Sequence, residues 1–154
     1  MPLRSAGIIL HRPGASGIEV FLVHPGGPYW ARRDEGAWSI PKGLYGEDER
    51  PEAAALREFA EETGVALGSA LAPLGDFRQP DGKIVTAFAA EGDIDAAAVR
   101  SNTFTMEWPP RSGRMAEFPE VDRAGWFDQT TAPLKILKGQ RPILDALRKH
   151  LNRP

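Results

Sequence analysis

The sequence predicts an α/β fold in which a mixed sheet is clasped between helices. Apolar, β-branched runs recur from the first residues to the last third of the chain. A helical pattern with a proline start and a glycine stop interrupts these runs after residue 50, and a second amphipathic pattern follows near residue 142. Strands that alternate with helices in this way pack as layers around a sheet.

The predicted strands are short apolar runs that end at turn residues. The first two, at 6–11 and 18–24, are separated by a stretch that contains Pro13 and Gly14. A hairpin is predicted around Pro80-Asp81-Gly82, because proline and glycine favour turns. The remaining predictions are strands at 38–40, 72–78, 83–91, 103–108 and 125–128, a helical turn at 94–100, a polar loop at 109–119, and helices at 134–138 and 142–151.

The helix that begins at Pro51 is predicted with the best-defined ends. Proline suits the first helical position, and Gly64 suits the left-handed residue that ends a helix. At about 100° per residue, Glu58, Glu61 and Glu62 lie on one side of this helix. The apolar stripe is predicted on the opposite side, at Ala53, Leu56, Phe59, Ala60 and Thr63.

Three carboxylates on one side of a helix repel one another unless a cation lies among them. Mg²⁺ and Mn²⁺ prefer carboxylate oxygen and commonly bridge to phosphate. A solvated acidic face is the alternative, since such faces are common on surface helices. Gly43, Glu49 and Arg57, at fixed distances from the trio, favour the metal site.

Composition narrows the class of protein. The length of 154 residues predicts one domain spanning 1–154, and the net charge of −2 gives no electrostatic case for DNA binding. The absence of cysteine removes disulfides, zinc–thiolate sites and thiol nucleophiles. The apolar runs are too short for a membrane span or a secretion signal, which favours a cytoplasmic protein.

The segment 43–65 resembles the signature box of the Nudix hydrolases. Its fixed positions are all matched, and Phe59 stands where an aliphatic residue is more usual. The lead-in Trp38-Ser39-Ile40-Pro41-Lys42 is also similar to that of the family. The matched box positions are Gly43, Glu49, Arg57, Glu58, Glu61, Glu62 and Gly64.

The resemblance implies a Nudix fold, an α/β/α sandwich, with Mg²⁺ as cofactor and Mn²⁺ as a substitute. It implies that Glu58, Glu61 and Glu62 are metal ligands, with the Gly43 carbonyl beside them. The general base is expected to be a box glutamate, of which Glu58 is favoured, or a glutamate outside the box. Arg57 is expected to orient a neighbouring carboxylate through a bidentate pair, and Glu49 to support the ligands from behind.

A later loop is expected to add a fourth carboxylate. Glu120 lies six residues before Trp126, a spacing similar to that of several nucleotide-cleaving family members. Glu107 and Glu117 are its rivals, and a solvated loop glutamate is the alternative. The lysine next to the box, Lys42, resembles a family lysine that contacts phosphate.

Substrate contacts are less defined by the pattern. Tyr29 and Trp30 are predicted either to stack on a base or to close the edge of the core. Arg111 or Arg114, in the loop after Trp108, is predicted to contact phosphates, and the alternative is that this loop is plain surface. His24, at a strand end, is predicted to be a packing residue.

The resemblance implies hydrolysis of a diphosphate linkage in a nucleotide or dinucleotide, and the motifs look most like those of dinucleoside polyphosphate hydrolases. Nucleoside triphosphates, nucleotide sugars and capped RNA ends are the alternative substrates. A non-catalytic nucleotide-binding module is an alternative from another class, although the box carboxylates are all present. Relatives often form homodimers, and the sequence identifies no interface.

Overall fold

The computed structural model describes residues 2–68 and 70–152 of the chain. The strands are β1 (Arg4–Gly14), β2 (Gly17–Pro25), β3 (Lys42–Leu44), β4 (Ala72–Arg78), β5 (Ile84–Glu91), β6 (Thr103–Glu107), β7 (Met115–Pro119) and β8 (Val121–Asp128). The helices are α1 (Pro51–Thr63), α2 (Ala132–Lys135) and α3 (Arg141–Leu151), with single 3₁₀ turns at Ala96–Ala98 and Lys138–Gln140.

Six strands form one mixed sheet. Its order is β4-β5-β1-β2-β8, and β3 pairs separately with β1. The β1–β5 pair is parallel, whereas β1 pairs antiparallel with both β2 and β3. The first strand is therefore central in the sheet, and the strand that carries Lys42 and Gly43 is built directly against it.

Both faces of the sheet are covered. Successive side chains of a strand point to opposite faces, so Ile8 and Leu10 enter one core and Ile9 enters the other. The first core contains Phe59 of α1, and the second contains Ile143 of α3. This arrangement confirms the predicted sheet between helices.

The ends of α1 agree with the prediction, but its buried face does not. Pro51 begins the helix, and Gly64 follows it at φ 78°, where a residue with a Cβ would be strained. The predicted apolar stripe was partly wrong, because Ala53 is exposed and Glu58 is buried. The helix packs on β1 and β3 along Ala54, Ala55, Glu58, Phe59 and Thr63, which places Glu58 between α1 and β3.

Three other predictions are corrected. The segment predicted as a polar loop at 109–119 contains β7, whose partly buried Ala116 and Phe118 alternate with exposed residues and pair with β6. Residues 38–40 make only isolated bridges to Val23 and Ile136, and the strand begins at Lys42. The helix predicted at 134–138 begins earlier and ends at Lys135.

Within the described ranges, no helix is both long enough and apolar enough to cross a lipid bilayer.

Candidate active site

The buried carboxylate of Glu58 lies against the backbone of Gly43. Only 8% of the Glu58 residue is exposed, and a Cβ at position 43 would lie 2.0 Å from its Oε2 atom. Position 43 must therefore lack a side chain for the carboxylate to reach the backbone of β3. Burial raises the pKa of Glu58, and the nearby Glu61 and Glu120 carboxylates raise it further, against the lowering effect of Arg57.

Arg57 holds the acidic side chains of the box in place. Its Nε and Nη2 atoms donate to the two carboxylate oxygens of Glu49, at 2.8 and 2.9 Å. Its Nη1 atom donates to Glu58 Oε1 at 2.8 Å and to Glu61 Oε2 at 3.2 Å. One guanidinium thus binds Glu49 bidentately and bridges two of the predicted metal ligands. The hydrogen bond to Arg57 lowers the pKa of Glu49.

Glu62 lies one turn beyond Glu58 and faces the start of β3. Its Oε1 atom accepts a hydrogen bond of 3.4 Å from the backbone N–H of Lys42. Burial raises the pKa of Glu62 to about 8, with Glu58 and Glu120 adding to the rise and the Lys42 charge opposing it. The positive charge of Lys42 therefore does not compensate for the carboxylates around Glu62.

Glu120 lies at the corner between β7 and β8. Its backbone fixes it on both sides, because its N–H donates to the Asn102 carbonyl and its carbonyl accepts from the N–H of Gly26, each at 2.9 Å. Burial raises the pKa of Glu120, and the Glu61 carboxylate raises it further. The fold therefore brings this glutamate within electrostatic range of the box carboxylates, 58 or more residues earlier in the chain.

Two adjoining cavities lie beside these residues. A cavity of about 210 Å³ is lined by Lys42, Glu62 and Glu120, with Trp30 among its other walls. A larger cleft of about 590 Å³ shares Trp30, Lys42 and Leu137 with it. The cleft also has the basic side chains of Arg33, Lys83 and Lys138 in its walls, against the acidic Glu35 and Asp81.

The residues of the site suit a hard divalent cation. Carboxylate and carbonyl oxygens are the donors that Mg²⁺ and Mn²⁺ prefer. In the ranges that the structure describes, no three acidic or histidine side chains already form a complete ligand set. The Arg57 guanidinium lies between Glu58 and Glu61 and supplies a positive charge to both carboxylates.

The other predicted substrate contacts lie further out. Trp30 lines both cavities, but Tyr29 lines neither of them; it is 61% exposed and packs edge-on against Trp108. Arg111 is at the tip of the β6–β7 hairpin with φ 62°. Its backbone N–H donates to the Glu107 carboxylate, which also accepts from the Gly113 N–H. Glu107 therefore stabilises the hairpin tip.

The sequence did not identify the role of His24. This side chain is fully buried at the end of β2, in agreement with the packing prediction, but both ring nitrogens have polar partners. Nδ1 lies 2.8 Å from Asp122 Oδ1, and Nε2 lies 2.5 Å from the Arg33 carbonyl oxygen. Asp122 is 98 residues away in the chain, so no local pattern could have linked the two.

The sequence model of the NUDIX domain matches residues 1–147. The chain belongs to the NUDIX family. No curated protein matches the chain.

Solved structures with the same fold have low sequence identity to this Nudix protein. The NUDIX domain of Shewanella oneidensis NrtR complexed with ADP ribose has a TM-score of 0.67 at 19% identity, with 99% of this chain and 90% of that chain covered. A Caenorhabditis elegans Ap4A hydrolase binary complex has a TM-score of 0.64 at 22% identity, with 96% and 95% covered. A MutT/nudix family protein from Enterococcus faecalis has a TM-score of 0.56 at 20% identity.

The Enterococcus faecalis alignment covers 82% of this chain but only 44% of that protein, so the present chain spans less than half of its length. At these identities the similarity shows the fold, and the substrate has to be argued from the site.

Proposed function

We propose that this Nudix protein is a divalent-metal-dependent hydrolase of dinucleoside polyphosphates, such as diadenosine tetraphosphate. The observation that carries the proposal is the meeting of Lys42, Glu62 and Glu120 in one cavity. These residues come from three separate segments, and they place a lysine beside two carboxylates. The lysine suits the negative charge of a phosphate chain, and the two carboxylates suit the cation that is bound together with it.

Gly43, through its carbonyl, and Glu58, Glu61, Glu62 and Glu120, through their carboxylates, would hold Mg²⁺, or Mn²⁺ in its place. When bound, such a cation neutralises phosphate oxygens and acidifies a bound water. The raised pKa values of Glu58, Glu62 and Glu120 support this assignment, because closely spaced carboxylates that have lost part of their hydration are stabilised when a cation is added.

The chain's own residues then have separate tasks. Glu58 accepts a proton from the attacking water, and its raised pKa brings it closer to the neutral range that suits a general base. Arg57, held bidentately by Glu49, orients Glu58 and Glu61. Lys42 binds a phosphate oxygen as a point charge, since its side chain faces the same cavity as Glu62.

The two adjoining cavities favour a long substrate with two nucleoside ends. Trp30 and Lys42 stand in the walls of both, so a phosphate chain at Lys42 can extend into either. Trp30 offers an aromatic face for a base. The Ap4A hydrolase of the same fold supports this choice of substrate. Tyr29 and Arg111 are proposed as outer contacts of the far nucleoside.

A nucleotide sugar is the second candidate substrate, because the Shewanella oneidensis NUDIX domain of the same fold was solved with ADP ribose. Nucleoside triphosphates and capped RNA ends follow. A module that binds a nucleotide without cleaving it would share the cavity but would not need the complete set of box glutamates.

The test is product analysis with purified protein, Mg²⁺ and a panel of diadenosine polyphosphates, nucleoside triphosphates, ADP-ribose and triphosphorylated RNA. A chelator control and the Glu62→Gln variant run beside it. ATP plus AMP from diadenosine tetraphosphate, lost in the chelator and in the variant, is the expected result. Faster cleavage of ADP-ribose would make a nucleotide sugar the substrate in place of the dinucleoside polyphosphate. Binding without cleavage would favour the non-catalytic module.

We also propose that residues 1–154 act as one domain in the cytoplasm, with small nucleotides rather than DNA or membranes as partners. The oligomeric state, monomer or homodimer, is measured by sedimentation of the purified chain.

A further inference from the structure

The segment between β2 and Ala37, residues 26–36, forms one wall of the site and contains little regular structure. It carries Trp30, which lines both cavities, and Arg33, which lines the larger cleft. This segment is called the 26–36 loop below. Within the loop, the Arg33 N–H donates to the Trp30 carbonyl at 2.9 Å. Its two ends bond to other segments, since the Gly26 N–H donates to the Glu120 carbonyl and the Gly36 N–H to the Leu134 carbonyl, each at 2.9 Å. Asp34 also pairs with Lys135.

The loop is held from beneath by His24. The imidazole Nε2 atom lies 2.5 Å from the Arg33 carbonyl oxygen, and Nδ1 lies 2.8 Å from Asp122 Oδ1. A carbonyl oxygen can only accept a hydrogen bond, so Nε2 must carry a hydrogen. The partner of Nδ1 is a carboxylate with 28% of its side chain exposed, and an ionised carboxylate also can only accept.

A neutral imidazole has one N–H and cannot donate to both acceptors. Two acceptors at hydrogen-bond distance therefore require the imidazolium, which donates at each nitrogen. Of the surrounding groups, the Asp122 carboxylate favours a cation at this position, whereas the burial of the ring opposes it. Asp122 supplies the counter-charge, Trp38 packs edge-on at 5.2 Å, and the guanidinium of Arg123 lies on the Trp38 ring, 5.4 Å from its centroid. Asp34 accepts from the Trp38 indole N–H, and the Arg33 guanidinium is directed to Trp30.

We infer that His24 is a positioning residue, which as an imidazolium paired with Asp122 holds the 26–36 loop, and with it Trp30, over the substrate cavity. His24 touches neither cavity wall itself, since it acts through the Arg33 carbonyl. Its effect is on substrate binding, so it is read in KM rather than in kcat. The effect on KM rests on the proposed function, but the protonation of the ring does not.

Two variants separate positioning from simple packing. In His24→Gln, one amide cannot satisfy both oxygens, so the Arg33 carbonyl or Asp122 loses its partner. In Asp122→Asn, the new amide N–H can donate to Nδ1 of a neutral imidazole, whose Nε2–H still donates to Arg33. Asp122→Asn therefore keeps the loop in place and removes the need for the second proton. His11→Gln is the matched control, because His11 is also buried but faces Glu91 and His150 and not the loop.

The first measurement is the ¹⁵N NMR spectrum of the histidine rings in the purified full chain, with the His24 signals assigned by their loss in His24→Gln. Two protonated ring nitrogens near neutral pH are expected in the wild type, and one in Asp122→Asn. A single protonated nitrogen in the wild type near neutral pH would overturn the inference.

The second measurement is KM and kcat near neutral pH for the panel member that is cleaved fastest. His24→Gln should raise KM about fivefold with kcat within about twofold, since one hydrogen bond is lost. Asp122→Asn should keep KM within about twofold of wild type, because the Nε2–H of the imidazole still donates to the Arg33 carbonyl. An unchanged KM in His24→Gln, or the same rise in His11→Gln, would refute the positioning role.

Hydrogen exchange of the 26–36 amides provides a readout that needs no substrate. Exchange should accelerate in His24→Gln and stay at the wild-type rate in His11→Gln, and equal rates in both variants would refute the inference. If no panel member is cleaved, the proposed function fails while the NMR and exchange results still decide this inference.

Discussion

The α-carbon of Gly43 and the carboxylate of Glu58 are in such close contact that a methyl group at position 43 would lie 2.0 Å from Glu58 Oε2. No real Cβ tolerates that distance, so a side chain at 43 must displace the carboxylate or the strand.

We therefore expect Gly43→Ala to lower kcat by about 100-fold or more, since the loss of ligand orientation commonly costs that much. The unfolding free energy should fall by about 1–3 kcal/mol from overpacking. Gly46→Ala is the matched control, because its Cβ would meet only Asp48 Oδ1, at 3.2 Å. Equal turnover of the two variants would show that the Gly43–Glu58 contact has no catalytic role.

Glu62→Gln should reduce turnover by at least about 100-fold while the fold is retained. The amide keeps the shape of the side chain but is a weak ligand for a divalent cation. Steady-state kinetics with Mg²⁺ measure the turnover, and circular dichroism checks that the fold is retained. Glu52→Gln, at the exposed start of the same helix, is the control and should stay within about twofold of wild type. Near-normal activity of Glu62→Gln would exclude Glu62 from the metal site.

Without divalent cations, the stability of the protein should depend on pH through Glu62. Burial raises the pKa of Glu62 to about 8 in the folded chain, whereas the unfolded value is near 4.5. The unfolded chain then loses its proton first, so the stability contributed by the neutral carboxyl is fully present below about pH 4.5 and is lost as the pH rises through about 8.

Thermal melts in a chelator should therefore show wild type losing Tm relative to Glu62→Gln between about pH 5 and about pH 8.5. Adding Mg²⁺ should recover most of that loss for wild type and not for the variant, because the cation binds the ionised folded state. A wild-type-minus-variant difference that stays constant with pH would contradict the raised pKa.

Glu120→Gln should lower kcat more than Glu107→Gln. Glu120 shares the cavity of Glu62 and Lys42, whereas Glu107 accepts the N–H groups of Arg111 and Gly113 at the hairpin tip. Kinetics of the two variants at saturating Mg²⁺ measure the order, and a thermal melt accounts for lost hairpin stability in Glu107→Gln. The reverse order of kcat would move the fourth carboxylate to Glu107.

Arg57→Lys should cost about 10- to 100-fold in turnover although the charge is kept. A lysine cannot bind Glu49 with two parallel N–H groups and also reach Glu58 and Glu61. The apparent Mg²⁺ affinity, measured in the same assay, should weaken in parallel. Arg50→Lys is the control, since Arg50 contacts only the exposed Glu52 by hydrogen bond. Wild-type behaviour of Arg57→Lys would mean that the bidentate pair is dispensable.

The sequence predicted the local structure well, above all the two ends of α1. The proline and glycine that bound α1 were readable because helix ends depend on the conformational limits of single residues. The burial of Glu58 was not readable, because helical spacing gives relative angles around the axis and not the face that packs on the sheet. β7 was missed because only the partial burial of Ala116 and Phe118 against β6 distinguishes it from a polar loop.

The residues of the site also fall into two groups, those that the sequence predicts and those that only the strand pairing brings together. The box residues are neighbours in the chain, so their roles follow from spacing and from the family resemblance. Glu120 could be guessed from its distance to Trp126, but its place beside Glu62 depends on how β8 pairs with β2 at Pro25 and Val121. The His24–Asp122 contact depends on the same strand pairing and has no signal in either segment alone.

The buried amide of Gln140 has a consequence for the order of events during synthesis. Its Oε1 atom accepts from the Ile40 N–H at 3.0 Å, and its Nε2 donates to Ser39 at 2.9 Å. The segment that leads into Lys42 and Gly43 thus depends on a hydrogen-bond acceptor that lies 100 residues later in the chain. A nascent chain that has not yet emerged past Gln140 has its box helix complete but leaves the Ile40 N–H without this acceptor, so the lead-in to the box acquires its final hydrogen bonds only after residue 140 has been made.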